Sequence, residues 1–200
     1  MNYLAHVFLS PLDPEQQLGS LIADFTRGQL VTLADHYSPG IMQGITLHRR
    51  IDRFTDDSDF VLQSKRLFSD EQRRYAGIIL DILYDHFLNC YWDQYSDTDR
   101  LGFIKEIYKL LALEQNRLPL RLKRLVPRII NEDWMGSYHD LEQLGQVYQR
   151  MALRLRRPNP LGSALNEVKR LYPRLSEDFH CFFPELIKFT EQQQRLLEQK

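Results

Sequence analysis

Apolar residues recur along this chain at helical spacing, and nowhere do apolar and polar positions alternate for six residues between turn residues. The pattern predicts helices throughout. One runs over 15–28, starting after Pro14 and closing on Gly28 as a C-cap. Ser38 and Pro39 open the next as N-cap and first helical residue, and it runs to about Phe54. Ser58 and Ser69 are cap candidates for helices near 59–68 and 70–95. Further helices are predicted at 98–115, 118–130, 138–155, 160–171 and 175–199. No internal repeat and no linker rich in Gly, Ser or Pro interrupts the pattern, so residues 1–200 read as a single-domain, all-α helical bundle.

Some polar residues stand where this pattern calls for apolar ones. In Ala76–Leu88 nearly every side of the helix is apolar, which makes it a central, buried element. It nevertheless carries Asp81 and Asp85, four apart on one face, followed by His86. Burying two such carboxylates without a cation costs several kcal/mol each. A divalent metal such as Mg²⁺ or Mn²⁺ resolves the conflict, and so does pairing with an arginine or capping a neighbouring helix. His48 and Asp52 are also spaced to share a face, either as a ligand pair or as a surface pair beside the Arg49-Arg50 run. Asp24 lies between Ala23 and Phe25, with Arg27 three residues on as a salt-bridge partner or phosphate ligand. His6 sits among Leu4, Ala5, Val7 and Phe8, where a hydrogen-bonded core histidine is the commoner use. Together these groups suggest a metal site between facing helices, suited to phosphate chemistry by an activated water. No Walker loop, GxGxxG, HExxH or GxSxG motif accompanies them.

Composition narrows the class. Hydrophobic residues make up 43% and charged residues 26% of 200 residues, which excludes a disordered, collagen-like or disulfide-built chain. Cys90 and Cys181 match no zinc or redox spacing and read as reduced, buried thiols of a cytoplasmic protein. The short apolar N-terminus lacks a basic leader, and no stretch approaches the ~20 apolar residues of a membrane span. The net charge of −1 hides a division, because residues 117–174 hold 12 Lys or Arg against five Asp or Glu. Within that stretch Arg121, Lys123, Arg124 and Arg128 form one cluster, and Arg150, Arg154, Arg156 and Arg157 another. A solvated helix face, an acidic partner or a nucleic acid are the available readings. The lack of interleaved stacking aromatics speaks against nucleic acid.

Five blocks carry a resemblance: Met1–His6, Gly19–Gly28, Gly44–Asp52, Phe54–Asp56 and Asp81–Leu88. In order and spacing they resemble the acyl carrier protein phosphodiesterases, which remove 4′-phosphopantetheine from the carrier's serine and so bear on fatty acid biosynthesis. The resemblance implies an all-helical, Mn²⁺-favouring (or Mg²⁺-using) enzyme similar to the HD-type metal phosphohydrolases, although no adjacent His-Asp pair occurs here. It implies Asp24, His48, Asp52, Asp81, Asp85 and His86 as site residues, with His6 a further metal candidate. Metal would rest on Asp24, His48 and Asp81 or Asp85. His86 or His48 would assist proton transfer, and Arg27 or Arg49 would hold phosphoryl oxygens. An acidic carrier implies a basic docking face, for which Arg121, Lys123, Arg124, Arg128, Arg150, Arg154 and Arg157 are the candidates. A phosphohydrolase acting on a nucleotide or another small phosphodiester, and a non-enzymatic helical adaptor, are the competing readings.

Overall fold

The computed structural model describes residues 2–199, and among them every regular element is helical. In chain order these are α1 (Tyr3–Phe8), α2 (Pro14–Ile22), α3 (Leu30–Leu33), α4 (Pro39–Asp57), α5 (Asp59–Leu67), α6 (Asp70–Arg73), α7 (Ala76–Cys90), α8 (Arg100–Leu113), α9 (Leu120–Asn131), α10 (Leu141–Arg154) and α11 (Ala164–Glu198). Short 3₁₀ turns lie at Ala23–Phe25, Trp92–Gln94, Ser137–His139 and Pro160–Ser163. The all-α expectation therefore holds. As the apolar pattern requires, α7 runs through the centre, packed against α1, α5, α10 and α11, with Leu83, Tyr84, Phe87 and Leu88 buried.

Several element boundaries differ from the sequence pattern for identifiable reasons. The helix expected over 15–28 begins at Pro14, capped by Asp13, whose Oδ1 accepts from the Gln16 amide at 2.9 Å. It stops at Ile22, because Thr26 turns both its amide (3.1 Å) and its hydroxyl (2.9 Å) onto the Ala23 carbonyl and closes a 3₁₀ turn. Gly28, at φ +103°, lies in the loop beyond rather than at the helix end. Ser38 does not cap α4; its hydroxyl donates to Glu15 of α2 at 2.8 Å. Ser58 likewise makes no side-chain cap, whereas Ser69 does cap α6. The single helix expected over 70–95 breaks at Tyr75, where the Gln72 side chain is held by the Pro160 carbonyl (2.7 Å) and the Ser163 hydroxyl (3.2 Å).

Conversely, the break expected between 171 and 175 is absent. α11 continues through Pro173 and Pro184 for 35 residues. Each proline forfeits one helical hydrogen bond. However, Leu171, Leu175, Phe179, Phe182, Phe183 and Leu186 lie buried along the same stripe, and their burial outweighs that loss. Of the two cysteines, both are free, but Cys181 is exposed and Cys90 half-buried, rather than both buried as expected.

α2 and α4 cross in close backbone contact. Gly19 and Gly44 face each other there. A Cβ at Gly19 would sit 2.2 Å from the Ile41 carbonyl oxygen, and one at Gly44 2.1 Å from that of Gln16. Backbone meets backbone, so no side chain can yield. Gly44→Ala should cost about 1–3 kcal/mol or more in urea or thermal unfolding. Gly77→Ala, whose Cβ would meet only the Lys65 Cε at 3.8 Å, should instead gain about 0.5–1 kcal/mol. Equal effects of the two would mean that the α2–α4 crossing is not tightly set.

Candidate active site

The crossing carries Asp24, just beyond the end of α2, against the face of α4 that presents His48 and Asp52. His48 Nε2 lies 3.3 Å from Asp24 Oδ1 and 3.3 Å from Asp52 Oδ2. His6 of α1 completes the group: its ring stacks on that of His48 with centroids 3.6 Å apart, and its Nε2 is 3.1 Å from Asp52 Oδ1. One ligand atom each from His6, His48 and Asp52 falls within 4.8 Å of the others, close enough to share one cation.

Both imidazoles are buried, at 1% and 4% exposure. His6 Nδ1, His6 Nε2 and His48 Nδ1 have no hydrogen-bond partner of acceptable geometry among the described residues; the short approach of His6 to Asp52 is poorly aimed. Buried ring nitrogens left in this state are costly unless something else takes their lone pairs. The donor set of two imidazoles and a carboxylate fits a divalent cation.

Electrostatics divide the two histidines. Burial and the neighbouring His48 push His6 down to about 4. Burial also opposes charging of His48, but hydrogen bonds to Asp24 and Asp52 outweigh it and raise His48 to about 9. Asp24 and Asp52 resist burial through those same contacts and are held below the usual carboxylate range. At neutral pH, in the absence of a bound cation, the His48 imidazolium thus contributes positive charge to both carboxylates.

Asp24 and Asp52 open onto a cavity of ≈ 350 Å³. Asp56 and Asp81 stand on the same acidic side, and Lys65 pairs with Asp56 at 3.0 Å. Tyr3, Trp134 and Tyr138 supply aromatic wall, Ile78, Ile82, Val147 and Met151 apolar wall, and Arg150 and Arg154 of α10 face the carboxylates.

The remaining sequence candidates lie elsewhere. Asp85 is 1% exposed, and its carboxylate accepts from the amides of Leu4 (2.9 Å) and Ala5 (3.0 Å), capping the start of α1. His86 donates from Nδ1 to the Tyr138 carbonyl (2.7 Å) and accepts at Nε2 from the Tyr172 hydroxyl (2.8 Å), which fixes a neutral tautomer. It therefore braces the segment that delivers Tyr138 to the cavity. Arg27 is exposed, and Arg49 donates to the Gly28 carbonyl at 3.0 Å; neither lines the cavity. The aromatic wall went unpredicted, since Trp134 and Tyr138 carry no motif. Arg150 and Arg154 were legible as a pair spaced to share a helix face with Val147 and Met151, but the sequence pattern suggested docking for them.

Burial raises Asp85 to about 7 from an unfolded value of 3.8, against the lowering effect of the two amides. Between those values the folded chain binds one proton more than the unfolded chain. This group's share of stability therefore falls as pH rises from about 4 to about 7. Asp85→Asn should flatten that portion of the stability–pH profile, measured by urea unfolding at stepped pH; an unchanged slope would contradict the raised titration of the buried carboxyl.

Residues 1–186 match the family model described as acyl carrier protein phosphodiesterase. A protein of that name from Serratia proteamaculans is 35% identical over 97% of this chain and 100% of its own. Another from Salmonella agona is 35% identical over 94% of this chain and 96% of its own. No solved structure matches. With the match running through every residue that lines the cavity, from α1 to α10, this chain belongs to the acyl carrier protein phosphodiesterase family.

Proposed function

We propose that this protein hydrolyses the phosphodiester between 4′-phosphopantetheine and the serine of an acyl carrier protein. The proposed divalent cation, Mn²⁺ or Mg²⁺, is held by His6, His48 and Asp52. The observation that carries this reading is the buried, unsatisfied imidazole pair beneath an acidic cavity, in a chain related end to end to proteins named for that activity. A cation in such a place makes water more acidic and neutralises charge building on phosphoryl oxygens. Asp24 sits 3.3 Å from His48 and orients it, while Asp81 presents a carboxylate to the cavity from α7 as a base for the attacking water. Tyr3 and Tyr138 line the cavity with aromatic surface and would limit water around the ester. Two free cysteines suit a cytoplasmic setting.

His48→Gln and Asp52→Asn should weaken Mn²⁺ binding, read by calorimetry, by more than the roughly 10–100-fold that loss of a mere supporting group costs. Release of the arm from holo-carrier, read by mass, should cease in both while the helical far-UV signal persists. Normal turnover in either variant would sink the assignment. Because His48 holds a proton to about 9, the cation must displace it. Apparent Mn²⁺ affinity should therefore rise by about tenfold per pH unit between pH 7 and 9 and level off above.

The exposed face of α9 offers Arg121, Arg124 and Arg128. Arg121 lies over the Phe25 ring at 5.9 Å and Arg128 over Trp134 at 6.0 Å, while Lys123 reaches Asn116 at 3.4 Å. This face, with exposed Arg157 beyond α10, is the surface on which an acidic carrier would dock. Arg124→Glu should raise KM for the carrier about tenfold at low salt and much less at ~0.5 M, where screening shortens the reach of charge. A KM that does not move at low salt would remove α9 from the docking surface.

A further inference from the structure

Arg150 and Arg154 project from successive turns of α10 into the cavity that holds Asp24, Asp52 and Asp81. Arg154 has no carboxylate partner among the described residues; its contacts are the Met151 sulfur at 3.6 Å and the face of Trp134 at 5.6 Å. Arg150 is 3.8 Å from Glu132, but Glu132 already accepts from Arg128 (2.7 Å) and from the Trp134 indole N–H (2.9 Å). One carboxylate thus serves three donors and leaves Arg150 under-neutralised. Trp134 carries both the Arg128 and the Arg154 guanidinium over its ring, and its indole N–H is tied to Glu132, so Arg154 rests on a fixed platform. Tyr3 lines the same cavity, within electrostatic reach of Asp24, Arg154 and Arg121.

We propose that Arg150 and Arg154 form the phosphate-binding wall of this cavity and grip the non-bridging oxygens of the substrate's phosphodiester opposite the carboxylate–imidazole cluster. The assignment deepens the hydrolase reading and rests on it for the identity of the ester. A diester monoanion between these walls meets guanidinium donors on one side and the proposed cation site on the other. Its amide-and-alkyl arm then lies along Ile78, Ile82, Val147 and Met151. Arginine's planar fork suits two phosphoryl oxygens at once, which a lysine cannot reproduce. This replaces carrier docking as the role of these two residues. The docking surface stays with α9.

Binding of 4′-phosphopantetheine and of pantetheine, which lacks the phosphate, to Mn²⁺-loaded protein tests the wall by calorimetry and Trp134 fluorescence. Wild type should prefer the phosphorylated ligand. Arg154→Gln should weaken 4′-phosphopantetheine binding by about 10- to 100-fold, Arg154→Lys by less, and neither should alter pantetheine binding. Arg150→Gln should act in the same direction, with far-UV signal and Mn²⁺ affinity retained. Failure of wild type to prefer the phosphate, or unaltered 4′-phosphopantetheine binding in both glutamine variants, would overturn the proposal. So would a rise in KM for holo-carrier with ligand binding intact, because that is the signature of docking. Wild-type protein that releases no arm from holo-carrier would refute the hydrolase reading instead, and the two failures are read from separate measurements.

Discussion

The site depends on two helix backbones meeting without side chains between them. At Gly19 and Gly44, α2 and α4 approach so closely that a single methyl group would overlap a carbonyl oxygen. Helices usually pack about 8–10 Å apart because side chains separate them. Removing the side chains at one point lowers that separation and brings the 3₁₀ turn after α2 against α4, so that Asp24 reaches His48 at 3.3 Å. A wider crossing would part Asp24 from its imidazole and leave His48 a buried histidine with one acid instead of two. The glycine pair is thus a stability requirement whose effect reaches the chemistry.

A second constraint operates through α1. This helix has six residues, too few to persist alone. It is held by the Asp85 carboxylate, which takes the two amides at its start, and by Leu4, Ala5 and Val7 buried in the core. That anchoring sets the depth and rotation of His6, so its ring can lie flat on His48 at 3.6 Å. Two charged imidazoles could not remain so close in a buried place. His48, between two carboxylates, takes the charge, and His6 stays neutral down to about 4. A neutral buried imidazole beside an ionised carboxylate is the form in which histidine serves as a ligand.

The contrast between Asp81 and Asp85 shows how far the sequence could be read. Four residues apart on an apolar helix, they look equivalent, and capping of a neighbouring helix was one of the uses open to either. Which one caps depends on where α1 docks, a tertiary fact no periodicity contains. The same holds for His86, whose two ring nitrogens are both satisfied, by Tyr138 and Tyr172 from distant parts of the chain. The all-helical class and the His48–Asp52 pair were accessible from local spacing, whereas His6 and Asp24, on separate elements, were drawn to that pair by the family resemblance. Helix ends were less so. Thr26, Gln72 and the prolines of α11 act through contacts or burial that outweigh their usual local signals.

Charge offers the last step. Along the sequence the carboxylate-rich first part and the basic stretch 117–174 look like two regions with separate tasks. In space α10 folds back so that Arg150 and Arg154 confront Asp24, Asp52 and Asp81 across one cavity. A cavity lined by carboxylates alone would repel a phosphodiester, even with a cation offsetting part of the charge. One lined by arginines alone would attract the ester but hold no cation. The two walls solve different halves of the same electrostatic problem, and Trp134 and Tyr138, the latter braced by His86, complete the lining. The near-zero net charge is therefore a local arrangement as well as an overall sum, since the opposing signs meet where a charged ester must be bound and cut.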